Sequence, residues 1–263
     1  MRPARARRPQ PEPPDPAAAM FRIRAVYDTR LPVDRAAVAA ARDILRERFP
    51  EANAEDADGL PELLANPLLK GYRSILLVAE KARGPAHDQG RGAVRGFALL
   101  CHFPDLDFCY LDYVAVAGAR GGGGVGGALY ERVREEALAL GDTALFFECL
   151  PDDPALCADE AQRRENARRL AFYERWGARP VTGTAYETPL KPGGDCPPYL
   201  MADPLGRSLR FTQARIRAIV RAILERKYKG VCPEDYVEAV VASFHGGELA
   251  LRPAVDGNVQ NQG

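Results

Sequence analysis

The stretch "RGGGGVGGALYERV", Arg120 to Val133, sets six glycines into the seven positions 121–127 and then runs straight into a helical pattern. An interior glycine costs roughly 0.5–1 kcal/mol relative to alanine, so such a run needs a physical reason. Val125, Leu129, Val133 and Ala137 recur every four residues, which predicts a helix to about Leu140 with one buried stripe. "DFCYLDYVAVA", Asp107–Ala117, reads as the strand that precedes the run. At a strand-to-helix junction the first helical N–H groups have no intrahelical partner, and the helix dipole favours an anion. Missing side chains let a phosphate approach that backbone. A pyrophosphate cradle is therefore the stronger reading, because strand and helix abut the run without a spacer; a flexible loop is the alternative.

Working outward, "FRIRAVYD" (Phe21–Asp28) alternates like a strand. Asp34 is placed to cap a helix over "RAAVAAARDILRERF", and "DGLPELLANPLL" predicts a second, short helix. "YRSILLVAEK" (Tyr72–Lys81) and "AVRGFALLCHF" (Ala93–Phe103) flank the turn-rich "ARGPAHDQGRG", which predicts a hairpin. With Asp107–Ala117 they make an antiparallel meander. "TALFFECL" (Thr143–Leu150) follows the glycine-led helix, and a strand–helix–strand unit of that length implies parallel pairing. A helix is expected from about Asp159 to Trp176, stopped by Gly177, then one or two strands in "RPVTGTAYETPL". "PGGDCPPYLMADPLG" reads as a loop-rich bridge to helices over Leu209–Tyr228 and Pro233–Phe244. The expected organisation is a tail at 1–19, a main domain at 20–192, a helical extension at 193–250 and a frayed end at 251–263.

Bulk properties exclude several classes. The chain has 263 residues, 46% hydrophobic and 27% charged, with 36 basic against 36 acidic residues. Zero formal charge gives no general case for nucleic acid. Apolar runs such as "SILLVA" fall far short of the roughly 18 residues a membrane span needs. The opening "MRPARARRPQPEPPDPAAA" lacks the apolar core of a secretory signal and predicts a disordered tail, with Met20 as an alternative start. None of the six cysteines forms a C-x-x-C pair, so buried reduced thiols in a cytoplasmic protein are expected, with no disulfide and no metal.

Gly122-x-Gly124-x-x-Gly127 matches a dinucleotide fingerprint, with Glu148 ending the next strand. Such a fold opens with its glycine unit, however, and here several strands and two helices come first. "LDYVAVAGARGGGGVGGALYERV" instead resembles the acetyl-CoA-binding segment of GNAT-type N-acetyltransferases: Val116 closes the strand, and eight residues later Gly124-Val125-Gly126 opens the helix. "ENARRLAFYERWGARPV" is similar to the family's downstream segment, with Asn166 seven residues before Tyr173. The resemblance covers about residues 20–190. One departure stands out: the family's Arg or Gln before the glycines is Gly121 here, and Arg120 is displaced by one.

The resemblance implies an α/β (α+β) fold, with a mixed, mostly antiparallel central sheet and flanking helices. It implies transfer of an acetyl group from acetyl-CoA directly to an amine, either a small molecule or a peptide, with no metal. Backbone groups of Val114, Ala115 and Val116 would hold the thioester arm. Gly121, Gly122, Gly123, Gly124, Val125, Gly126 and Gly127 would hold the diphosphate, and Asn166 and Tyr173 would complete the cofactor site. Tyr173 takes the role of proton donor to the departing thiolate, its alternative being a core aromatic beside Leu170 and Trp176. Alternation puts Tyr110, Asp112, Val114 and Val116 on one face. Asp112 is then a candidate base, or half of an ion pair with an arginine. Glu148 either shares that task through water or binds the acceptor amine. His102 and Cys149 are expected to be structural. The amphipathic helix with Ile216, Ile219, Val220 and Ile223 is expected to pack on its own domain, covering the acceptor side or building a homodimer. A dinucleotide-binding oxidoreductase and a non-catalytic acetyl-CoA-binding module are the competing readings.

Overall fold

The computed structural model describes residues 21–49, 54–66, 68–81, 93–118, 124–187 and 194–254, with side chains in the second helix described from residue 57 onward. The N-terminal tail, the hairpin turn at 82–92 and Gly121–Gly123 lie outside the described residues. The antiparallel meander forms as expected. β1 (Phe21–Val26) pairs with β2 (Arg73–Lys81), β2 with β3 (Val94–Phe103), and β3 with β4 (Phe108–Val116), each antiparallel. Helices α1 (Pro32–Arg48) and α2 (Ala54–Ala65) connect β1 to β2. Asp34 is not the cap of α1: Leu31 holds that position, and Asp34 sits in the first turn with its carboxylate 2.5 Å from Arg24. Pro32 begins the helix three residues earlier than an Asp34 cap suggests, because its fixed φ suits a first helical position.

Helix α3 (Val125–Ala139) carries the chain to β5 (Leu145–Cys149), which pairs parallel to β4. Helix α4 (Glu160–Glu174) follows, capped by the Asp159 carboxylate on the N–H groups of Ala161 and Gln162. Gly177, at φ +88°, ends it as expected. β6 is only Arg179–Pro180, and Ala185–Glu187 form a 3₁₀ turn.

The expected bridge at 192–206 is corrected. It contains β7 (Tyr199–Asp203), which inserts antiparallel between β5 and β6. The sheet order is β1-β2-β3-β4-β5-β7-β6. All five β7 residues are buried, so no in–out alternation marks the strand in the sequence. Among the described strands β4–β5 is the one parallel pair, which leaves the doubly wound dinucleotide fold without support.

A short pair, β8 (Arg210–Phe211) and β9 (Gly247–Glu248), brackets α5 (Gln213–Ala222) and α6 (Glu234–Ala242). Ile216, Ile219, Val220 and Ile223 pack with Phe103, Phe108, Tyr110 and Phe146 in one buried cluster. The amphipathic helix thus covers its own sheet, on the face opposite α3 and α4. The cysteine reading is also corrected: Cys157 and Cys196 form a disulfide. The segment leading into β7 runs beside the start of α4, with the Cys196 N–H on the Leu156 carbonyl at 2.8 Å, so folding joins two thiols 39 residues apart. Cys101, Cys109 and Cys149 are buried free thiols, and Cys232 is half-buried and free.

Gly96 on β3 faces the outer part of β4. A Cβ there would lie 2.6 Å from the Ala115 carbonyl oxygen and 3.1 Å from the Leu129 side chain. Gly96→Ala should therefore destabilise the fold by about 1–3 kcal/mol, read as a lower denaturation midpoint. A midpoint equal to that of the parent would show that the β3–β4 contact relaxes freely.

Candidate active site

The site begins with an irregularity in β4. In the β3–β4 ladder Leu100 pairs with Leu111 and Leu99 with Tyr113, so Asp112 is an extra residue, a β-bulge. The bulge resets the alternation. Tyr110 packs with the α5 side of the sheet, while Val114 and Val116 pack with Leu111 on the α3 side. The expected shared face for Tyr110, Asp112, Val114 and Val116 is corrected accordingly.

Beyond the bulge β4 loses β5. Their parallel register runs only from Cys109–Leu145 to Leu111–Phe147, whereas β5 stays paired with β7 over all five of its residues. The Ala117 N–H reaches back to Arg95 on β3 at 2.9 Å. Alternation along the strand then turns the N–H groups of Val114 and Val116 toward the gap, where no strand stands opposite.

That gap is a cleft of about 300 Å³, lined by β4 from Leu111 to Val116, by Gly126, Phe147 and Glu148, and by Glu165, Arg169, Phe172 and Tyr173 of α4. At its α3 end Gly124 adopts the left-handed conformation, φ +72°, as the residue before the helix. The Ala128 N–H bonds to Gly124 O at 3.0 Å. The N–H groups of Val125, Gly126 and Gly127 precede this first helical bond and have no intrahelical acceptor. A Cβ at Gly126 would touch Val116 at 3.6 Å, so the helix start lies close on the end of β4. Among the described residues nothing stands within 4 Å of a Cβ position at Gly124 or Gly127. Unpaired strand amides, bare helix amides and an open glycine surface thus line up along one cleft, which suits a ligand with an anionic group and a polar extended arm.

Tyr173 lies on the α3–α4 face, 5% exposed, its ring packed against Phe147, Tyr130 and Phe172. Burial raises its phenol above the ordinary range and keeps it protonated. It is a core aromatic, and it also lines the cleft. Asn166 is buried on α4 and donates to the Pro151 carbonyl at 2.8 Å. It ties α4 to the loop after β5, and it is absent from the cleft lining.

Glu148 ends β5 on the other side of the gap. Tyr186 donates to its Oε1 at 2.5 Å, and Tyr228 donates to its Oε2 at 2.6 Å. Burial pushes this carboxyl above its usual range, and the two phenols work against that rise. Asp112 is placed in an ion pair, but with Lys227 at 3.0 Å rather than an arginine. The two side chains are 10% and 8% exposed. Burial opposes the Lys227 charge, and the neighbouring Asp112 carboxylate more than offsets it, so the ammonium is held above its ordinary pKa.

Lys227 and Tyr228 come from a π turn, Ile223–Lys227, that ends α5. Sequence reading passed over them and over Tyr186. One signal was present: Lys227 continues the stripe of Ile216, Val220 and Ile223, and a charge on an apolar stripe calls for a buried partner. His102 sits with its Nε2 3.3 Å from Asp142, away from the cleft, and burial pushes the Cys149 thiol up to about 12. Both fit the structural roles expected of them. Among the described residues no helix is long and apolar enough to cross a membrane.

No family model and no curated protein matches the chain. Among solved structures it is similar to an acetyltransferase described as a GNAT-family member from Desulfovibrio desulfuricans, with 21% identity over 71% of this chain and 100% of that one, TM-score 0.48. It is similar to a Salmonella typhimurium acetyltransferase with its cofactor acetyl-CoA, at 18% identity over 72% and 96%, TM-score 0.49. It is also similar to an aminoglycoside 6'-N-acetyltransferase from Enterococcus faecium, at 20% identity over 70% and 96%, TM-score 0.45.

The Asp112–Lys227 pair has a measurable consequence. Asp112→Asn leaves a buried ammonium uncompensated and should cost about 3–5 kcal/mol. The double variant Asp112→Asn/Lys227→Met should recover most of that loss in a denaturant titration. Additive losses would mean that the two side chains do not interact.

Proposed function

We propose that the chain is an acetyl-CoA-dependent N-acetyltransferase of the GNAT type, moving an acetyl group directly to an amine. The observation that supports this most is the separation of β4 from β5. It turns the Val114 and Val116 amides into a cleft that ends at the bare N–H groups of Val125, Gly126 and Gly127. An extended thioester arm matches the strand amides, and a diphosphate matches the helix start. The cosubstrate supplies an activated acyl carbonyl. Gly121, Gly122 and Gly123 belong to the same proposed cradle on the strength of the motif, and Ala115 belongs to the strand that lines it.

The gap passes through the sheet. Tyr173 approaches it from the α3–α4 face, and Glu148 from the α5 face. In this reading Tyr173, held protonated by burial, gives its proton to the departing thiolate. Glu148 is the base that takes a proton from the acceptor ammonium, directly or through water. It is partly exposed at the cleft, and among the described residues it has no salt-bridge cation. Asp112, already matched by Lys227, is assigned to holding that wall of the site. Asn166 supports the cofactor side by fixing α4 to Pro151. The acceptor is a small-molecule or peptide amine. The chain acts in this reading without a metal.

Titration calorimetry with CoA should show binding, and a panel of amines with acetyl-CoA should release free thiol. Tyr173→Phe should lower turnover by about 10²–10⁴-fold while leaving CoA affinity within threefold. Failure to bind CoA would end the reading, and turnover unchanged in Tyr173→Phe would remove the assigned acid.

A further inference from the structure

The C-terminal segment reaches the site through one short irregular turn. α5 runs regularly to Ala222, and Ile223–Lys227 then forms a π turn. The turn sets two consecutive residues, Lys227 and Tyr228, against β4 and β5: Lys227 on Asp112, Tyr228 on Glu148. π turns are rare and recur at functional positions.

The hydrogen-bond directions around Tyr228 follow from counting protons. A phenol has one to donate. The Tyr228 hydroxyl lies 2.6 Å from Glu148 Oε2 and 2.9 Å from the Tyr110 hydroxyl. The carboxylate can only accept when ionised, so Tyr228 donates to Glu148, and Tyr110 donates to Tyr228. Tyr186 donates to the other oxygen. Each oxygen of Glu148 thus receives one phenol proton, from two different parts of the chain, and one of the donors is itself polarised from behind.

We infer that Tyr228 is a positioning residue for Glu148: carried in by the π turn, it orients the carboxylate and holds it in the ionised form that proton removal from an amine requires. Its use in catalysis rests on the proposed acetyl transfer, while its action on Glu148 does not. The groups that face Glu148 are Tyr110 and Asp112 from β4, Tyr186 from the 3₁₀ turn, Lys227 and Tyr228 from the π turn, and Cys232 and Tyr236 beyond it. Lys227 and Asp112 largely cancel as a pair. Burial is the main influence raising the Glu148 carboxyl, and the bonds from Tyr186 and Tyr228 oppose it. Removing one of them must shift the carboxyl upward.

The test uses the full chain labelled at glutamate side-chain carboxyl carbons, with the Glu148 signal assigned by its loss in Glu148→Gln. The midpoint of the Glu148 titration should rise by about one pH unit in Tyr228→Phe, the size expected when one charge-assisted hydrogen bond is lost. Tyr110→Phe, which leaves the Tyr228 bond in place but removes the donor behind it, should give a smaller rise in the same direction. It keeps the test open should Tyr228→Phe fail to fold. An unchanged or lowered midpoint overturns the inference. In the enzyme assay the ascending limb of the pH–rate profile should move by the same amount in Tyr228→Phe, and turnover should return to within about threefold of the parent above the new limb. A loss that no pH restores would mark Tyr228 as merely structural and also overturn the inference. A shifted titration in a chain that transfers no acetyl group to any amine would sink the proposed function alone.

Discussion

The structure depends on where β4 stops having a neighbour. A strand within a sheet satisfies its backbone on both sides, and an amide left facing nothing costs free energy comparable to a lost hydrogen bond. Here β4 keeps β3 along its length but parts from β5 after Leu111, at the position where Asp112 is inserted into the ladder. β5 meanwhile keeps full register with β7. The parting therefore lies on the β4 side of β5, at the bulge, where the added local twist turns the strand away. Two amides face an open slot as a result, and the slot opens onto the start of α3. The site is built from backbone that the fold leaves unmatched, with side chains placed around it.

The same bulge sorts the two carboxylates. Asp112 and Glu148 both reach the gap, but their surroundings differ in kind. Asp112 has a full opposite charge 3.0 Å away and is close to neutral as a pair. Glu148 has phenols, which stabilise its charge without cancelling it. Two carboxylates in unlike environments take unlike roles, because only the group without a counter-ion has a protonation state that a cationic ligand can change. The phenols are themselves pushed up by burial and by the Glu148 charge, so they remain donors.

Local pattern decided much of this in advance. The meander, the parallel crossover and α4 with its Asp159 cap and Gly177 stop all follow from short-range periodicity, caps and glycine. The cleft-lining residues Val114, Val116 and Tyr173 could be named from two motifs, and Glu148 from its place at the end of the strand between them. What stayed hidden depends on partners far along the chain. A bulge is one residue too many relative to another strand, and nothing in "FCYLDYVAV" alone reveals it. "YLMAD" is buried on both faces and flanked by prolines, so it carries no strand period. The Cys157–Cys196 bond joins two loops with no spacing signature. Tyr228 was hidden because the π turn takes the chain out of the phase that α5 sets.

Two of the hidden pieces, β7 and the π turn, lie in the same C-terminal stretch as α5 and α6, and that links the site to stability. β7, α5, the π turn and α6 all follow residue 193. Ile216, Ile219, Val220 and Phe244 fill the same core as Phe103, Phe108 and Phe146, while β7 pairs along the far edge of β5. The C-terminal segment thus contributes three things at once: the apolar cover of one sheet face, the strand that completes the far edge of β5, and the Lys227 and Tyr228 contacts at the gap. The proposed acid and base, on opposite faces of the sheet, need it open at one place and closed at every other. Here the opening lies at the β4 bulge, and the C-terminal stretch closes the sheet around it. Any motion that loosens α5 from the sheet would therefore weaken the phenol on Glu148 and the cation on Asp112 together, so order at the site follows order in that core.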